Sequence, residues 1–87
     1  MSIVEQQELR RWLTGQIAAH LGQPVEKLAG DVELASYGLD SVYALAIVAQ
    51  IEDHFDIVLE PTIMWDNPSI DTLLAAITAE LAATDHR

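Results

Sequence analysis

The sequence predicts an all-α fold, an antiparallel four-helix bundle with three main helices, one short one and a long first loop. Three observations carry that expectation. Apolar residues recur at helical spacing in three separate stretches. No segment shows the strict alternation of a half-buried strand. Glycine and proline cluster between the periodic stretches and leave the stretches themselves almost untouched.

Ser2 and Glu5 have the spacing of a capping box, which places the start of the first helix at residue 3 or 4. Leu9, Leu13, Ile17 and Leu21 then form one apolar stripe, with Trp12 beside it and half buried, and with His20 on it as a partly buried, hydrogen-bonded histidine. Gly22 and Pro24 end the helix. Residues 22–40 have no sustained period, but Val25, Leu28, Val32, Leu34 and Tyr37 are spaced as if the loop packs onto the helices.

The second helix is expected from Ser41 to Phe55. Ala44, Leu45, Ile47, Val48, Ile51 and Phe55 share an arc of roughly 160° and make its core face. Val42, Ala46, Ala49 and Asp53 lie outside it within roughly 60°, a face that is neither core nor properly polar. Pro61 suits the first turn of a short helix over residues 61–66, which Trp65 is expected to anchor. Asn67-Pro68 breaks the chain, and Ser69 caps a last helix striped by Ile70, Leu73, Leu74, Ile77 and Leu81. His54 and His86 read as surface residues. The whole chain, 1–87, reads as one domain with a core over about 3–82 and a fraying tail, 83–87.

Composition narrows the function. With no cysteine, neither disulfides nor thiolate metal clusters can stabilise the chain, so it folds on packing alone. No apolar run approaches the roughly 20 residues that cross a bilayer, and the N-terminus lacks a secretory signal, so a cytoplasmic protein without membrane insertion is expected. Fourteen acids face four bases, and no Lys or Arg lies between Lys27 and Arg87, where eleven of the acids fall. Such a field repels nucleic acid and steers the protein toward basic patches on partners.

One stretch carries chemistry. In Tyr37-Gly38-Leu39-Asp40-Ser41-Val42, Gly38 permits a tight turn that leaves Ser41 exposed at a helix N-terminus. Unpaired backbone N–H groups and a partial positive charge there favour a phosphate ester. By itself such a serine is an ordinary N-cap residue. The surrounding residues say more: GLDSV resembles the attachment motif of acyl carrier proteins. The downstream IEDHFDIVLEPTIMWDNPSIDTLLAAI is similar to the later half of carrier domains from polyketide and mixed polyketide–nonribosomal peptide pathways. Its Glu52-Asp53-His54-Phe55 and Asp66-Asn67-Pro68-Ser69-Ile70 match the acidic-aromatic pair and the D-x-P-[ST]-I element of those domains, and the likeness covers roughly residues 9–82.

The resemblance implies a non-catalytic carrier that holds an acyl or polyketide intermediate as a thioester on 4′-phosphopantetheine attached to Ser41. Asp40 would contact the phosphopantetheinyl transferase and help hold magnesium during loading, with no metal bound in the resting protein. Val42, Ala46, Ala49 and Asp53, with Glu52 at the border, would form a partner-binding strip, and Trp65 is a candidate contact for the arm. Expected partners are the transferase, an adenylating enzyme or acyltransferase that loads the carrier, and ketosynthase, condensation or other enzymes downstream. The chain has its own Met1 and ends soon after the last helix, so it is expected to be discrete and monomeric and to serve these enzymes in trans.

Two other readings compete. Peptidyl carriers usually show G-G-[HD]-S, and Gly38-Leu39-Asp40-Ser41 departs from it toward acyl cargo, with an aminoacyl or peptidyl carrier as the alternative. An unmodified acidic interaction module would keep the fold and dispense with the arm. Intrinsic catalysis is not expected: His54, thirteen residues along the same helix, lies about 20 Å along the axis from Ser41 and cannot activate it within one copy of the fold. The G-x-S-x-G elbow and the calcium-loop pattern are also missing.

Overall fold

The computed structural model describes residues 3–84, and within them the chain forms four α-helices, α1 (Ile3–Leu21), α2 (Ser41–Phe55), α3 (Ile63–Asp66) and α4 (Ile70–Thr84). Two short 3-10 turns, Val25–Lys27 and Leu34–Tyr37, interrupt the loop between α1 and α2. The expected cap Ser2, the tail residues 85–87 and His86 lie outside the described residues.

Helix α1 packs against α4 and α2, and α3 bridges α2 and α4. The core forms where their stripes meet: Leu13 and Ile17 of α1, Ile47 and Ile51 of α2, and Leu73 and Ile77 of α4 have no exposed surface. Leu21 and Leu81, the outer members of two stripes, pack against this cluster from its edge.

Helix ends are set by local chemistry. Gly22 takes φ +66°, and Gln23 N–H donates to Ala18 O at 3.0 Å, which closes the C-terminus of α1 with a left-handed turn. At the end of α2 an aspartate does the same: Asp56 has φ +54°, and Ile57 N–H donates to Glu52 O at 3.1 Å. Ser69 and Thr72 cap α4 reciprocally, Thr72 N–H donating to Ser69 Oγ at 3.3 Å and Ser69 N–H to Thr72 Oγ1 at 3.2 Å. Ser69 is only 7% exposed, so the buried hydroxyl has its partners.

The long loop is held down by its own residues. Leu34 enters the core at 2% exposure, its N–H donating to Pro68 O at 2.8 Å, and Asp71 N–H donates to Gly30 O at 2.9 Å. The Tyr37 hydroxyl accepts from Ala29 N–H at 2.8 Å and ties the two 3-10 turns together. Arg10 and Asp71 pair at 2.8 Å, but each side chain is nearly half exposed, so the pair contributes at most about 1 kcal/mol.

Four expectations need correction. Val25 is 45% exposed, unlike the other spaced apolar residues of the loop, because it opens a surface 3-10 turn. Leu45, assigned to the core arc of α2, is 50% exposed, since it stands at the edge of that arc. Pro61 and Thr62 form a turn ahead of the short helix, which starts at Ile63. Trp65 does not anchor that helix. Ile63 and Met64 do, at 8% and 6% exposure, and in so short a helix two consecutive buried positions turn the third outward, leaving Trp65 55% exposed.

Candidate functional site

The approach to Ser41 begins at the second 3-10 turn. Gly38 ends it with φ +92°, a conformation that a side chain would strain, and its N–H donates to Ala35 O at 3.1 Å. The chain then passes half-buried Leu39 and extends through Asp40 at φ −102°, ψ 177°. Asp40 is the N-cap of α2. Its Oδ1 accepts the Tyr43 N–H at 2.9 Å, and its carbonyl accepts the first intrahelical bond, from Ala44, at 2.9 Å.

Ser41 is therefore not the N-cap that such a serine is by itself. Ser41 is the first helical residue, its side chain is exposed, and its hydroxyl takes no part in ending the helix. It stands instead where the helix dipole favours an anion. Neither histidine inside the described region can activate it. His20 bonds Gln50 through Nε2 at 3.2 Å, and His54 stacks on Trp12 at 4.2 Å near the far end of α2. His54 is therefore a surface residue with a packing role, and Trp12 is half buried as expected.

Beside Ser41 opens an apolar pocket of about 180 Å³. Leu34, Ala35 and Leu39 of the loop, Ala44 of α2, Met64 and Trp65 of α3, and Pro68 line it, with Asp40 and Ser41 at its polar edge. Trp65 is thus placed beside Ser41. Periodicity did not reveal the pocket, because its walls come from three segments; the adjacent Met64-Trp65 in a four-residue helix was its one trace in the sequence.

The solvent side of α2 carries the expected strip. Val42 is 69% exposed, Ala49 and Asp53 are exposed, and Ala46 is half buried. Leu45 and Tyr43, at 50% and 42%, extend it in a way the core-arc reading missed. Glu52 is drawn elsewhere: it is half buried, and its Oε2 accepts the Leu59 N–H at 2.9 Å, pinning the loop after α2. Among the described residues no group of three or more His, Cys, Asp or Glu side chains is arranged to hold a metal ion, and no helix is long and apolar enough to cross a membrane.

The chain matches the family model for the phosphopantetheine attachment site over residues 11–77. It is 36% identical over 66 residues to 5-methyl-1-naphthoate synthase of Streptomyces sahachiroi, covering 76% of this chain but only 4% of that synthase. Among solved structures, the acyl carrier protein LipD of Actinoplanes friuliensis is 51% identical with a TM-score of 0.72, over 90% of this chain and 87% of that one. A free-standing peptidyl carrier protein from an Acinetobacter baumannii secondary metabolic pathway is 32% identical with a TM-score of 0.82, over 87% and 95%. Members of this family carry 4′-phosphopantetheine on a serine and hold their cargo without transforming it. By the extent of that match and by the fold it shares with these carriers, the chain belongs to the phosphopantetheine-attachment family of carrier proteins.

Proposed function

We propose that Ser41 is the attachment residue, and that the protein carries an acyl or polyketide intermediate as a thioester on the arm and delivers it to partner enzymes in trans, within secondary metabolism. The observation that carries this reading is the exposed Ser41 hydroxyl at the first position of α2, beside a cap already filled by Asp40. A phosphate there gains from the helix dipole but sits beside the Asp40 carboxylate. The two negative charges suit a transient Mg²⁺, which favours one or two carboxylates plus phosphate oxygens, and this gives Asp40 its role during loading. Once attached, the arm's thiol supplies the thioester, and the protein presents it. The strip with exposed Val42, Ala49 and Asp53 and half-buried Ala46 supplies a mixed apolar and acidic docking face for transferase, loading enzyme and downstream synthases.

The test is intact mass after co-expression with a broad-range phosphopantetheinyl transferase. A gain of one phosphopantetheine group in the native chain, lost in Ser41→Ala with helical content unchanged, supports the assignment. Folded native protein that gains no mass rejects it in favour of an unmodified interaction module.

Cargo is a separate question. The likeness to the acyl carrier LipD and to the naphthoate synthase favours an acyl or polyketide group, whereas the Acinetobacter peptidyl carrier supports an aminoacyl alternative. Loading the holo protein in competition with acyl-transferring and amino-acid-adenylating enzymes distinguishes them by mass.

A further inference from the structure

The strip assigned to partner docking covers only part of the exposed side of α2. From Ser41 to Ile51 the helix carries no charged residue, in a chain with fourteen acids. Among the described residues eight large apolar side chains are exposed, and four of them stand around Ser41: Val42, Tyr43 and Leu45 on α2, and Trp65 of the adjoining pocket. The carboxylates nearby are engaged or distant. Asp40 caps the helix, and Glu52 holds the Leu59 N–H. Asp53 is about 18 Å along the axis from Ser41, beyond the roughly 8 Å over which physiological salt lets exposed charges interact.

Tyr43 lies outside the strip. It stands about 100° around the helix from Val42, at the margin where α2 meets α1, and is 42% exposed. The last turn of α1 supports it there. The His20 ring lies 5.8 Å from the Tyr43 ring, tilted by 43°. His20 Nε2 and Gln50 Oε1 are hydrogen-bonded at 3.2 Å. Gln50 follows Tyr43 by two helical turns, so both occupy this margin and His20 is set against both. The tyrosine ring is thus held on one side and open to solvent on the other, two residues from Ser41.

We infer that His20, Tyr43 and Gln50 form a further contact edge across the α1–α2 seam, which takes an apolar side chain of the partner enzyme, with Tyr43 as anchor and His20 as its positioning residue. This rests on Ser41 being the attachment residue, which brings each partner over the start of α2. An aromatic ring already fixed in place loses little freedom on contact and contributes strongly to binding. A basic side chain is the poorer occupant, because it would shed water against an uncharged surface whose nearest carboxylate already serves as a cap. A second copy is poorer still, since two chains of net charge −10 repel. The acidic field steers the encounter from a distance, and apolar contact at the seam sets the affinity.

The probe is a broad-range phosphopantetheinyl transferase with coenzyme A, and KM and kcat for the carrier are read by intact mass. Tyr43→Ser and His20→Ala should each raise KM at least about threefold, with kcat within about twofold of native and the fold intact by circular dichroism. His20→Phe, which keeps a ring against Tyr43, should return KM to within about twofold. The KM ratio of Tyr43→Ser to native should stay constant as salt rises from about 0.05 M to about 0.5 M, because an apolar contact is not screened. A ratio that collapses toward one at high salt would show a basic side chain at the seam and overturn the inference. Native KM in Tyr43→Ser would overturn it too, and Tyr43 is exposed enough to be replaced even if His20→Ala loosens α1. A native chain that gains no mass overturns the Ser41 assignment itself, so the two failures are told apart.

Discussion

Oδ1 of Asp40 lies 2.9 Å from the Tyr43 backbone nitrogen and accepts its N–H, so the residue before Ser41 closes the helix that Ser41 begins. The same residue lines the pocket beside Ser41. One side chain thus stands in both the folding and the loading argument, and substitutions can separate them.

Asparagine caps a helix about as well as aspartate but carries no charge. Asp40→Asn should therefore keep stability within a few tenths of a kcal/mol while slowing phosphopantetheine transfer at least tenfold. Asp40→Ala should add a loss of about 1 kcal/mol. Urea denaturation and a mass-based loading time course measure the two effects. Equal loading by the Asn variant and the native chain would limit Asp40 to the cap.

Leu45 and Ile47 are two positions apart on α2 and opposite in environment, 50% and 0% exposed. Leu45→Ala should change stability by less than about 0.5 kcal/mol, and Ile47→Ala should cost about 2–5 kcal/mol. Transfer to a downstream enzyme should suffer from Leu45→Ala and Val42→Arg, read as a rise in KM with the fold intact by circular dichroism. Unchanged KM in both would remove the strip from partner recognition.

Asp56 holds a left-handed conformation at the C-terminus of α2, where its charge also opposes the helix dipole. Asp56→Gly should relieve both effects and stabilise the protein by about 0.5–1 kcal/mol, raising Tm by a few degrees. A lower Tm would show that the carboxylate makes a stabilising contact of its own.

Trp12 and His54 stack with their rings 4.2 Å apart and 18° from parallel, joining α1 to α2 away from Ser41. A double-mutant cycle with Trp12→Ala and His54→Ala should give a coupling of about 0.5–1.5 kcal/mol by denaturation. Loading at Ser41 should be unaffected in each folded variant.

The bounds of α2 and the stripes of α1 and α4 were legible because an amphipathic helix repeats its core contact every three or four residues, and both stripes recur in the buried set except for their last members, Leu21 and Leu81. The place of Ser41 at a helix start was legible from the turn residues before it and the periodic residues after it. Leu45 was misplaced because a helical wheel gives an angle but not the width of the neighbour that covers it. Trp65 was misplaced because a four-residue helix has no period to read, and the burial of Ile63 and Met64 decided its direction.

By itself the sequence determined the number of long helices, the acidic field and the serine that opens α2, since periodicity, charge and motif are properties of order along the chain. The tertiary structure alone decided that Asp40 holds the cap, that Glu52 is engaged by Leu59, and that loop, α2 and α3 line an open pocket beside Ser41. Each of these depends on where segments distant in sequence come to rest or on which of two adjacent side chains turns back toward the backbone, and only packing settles that.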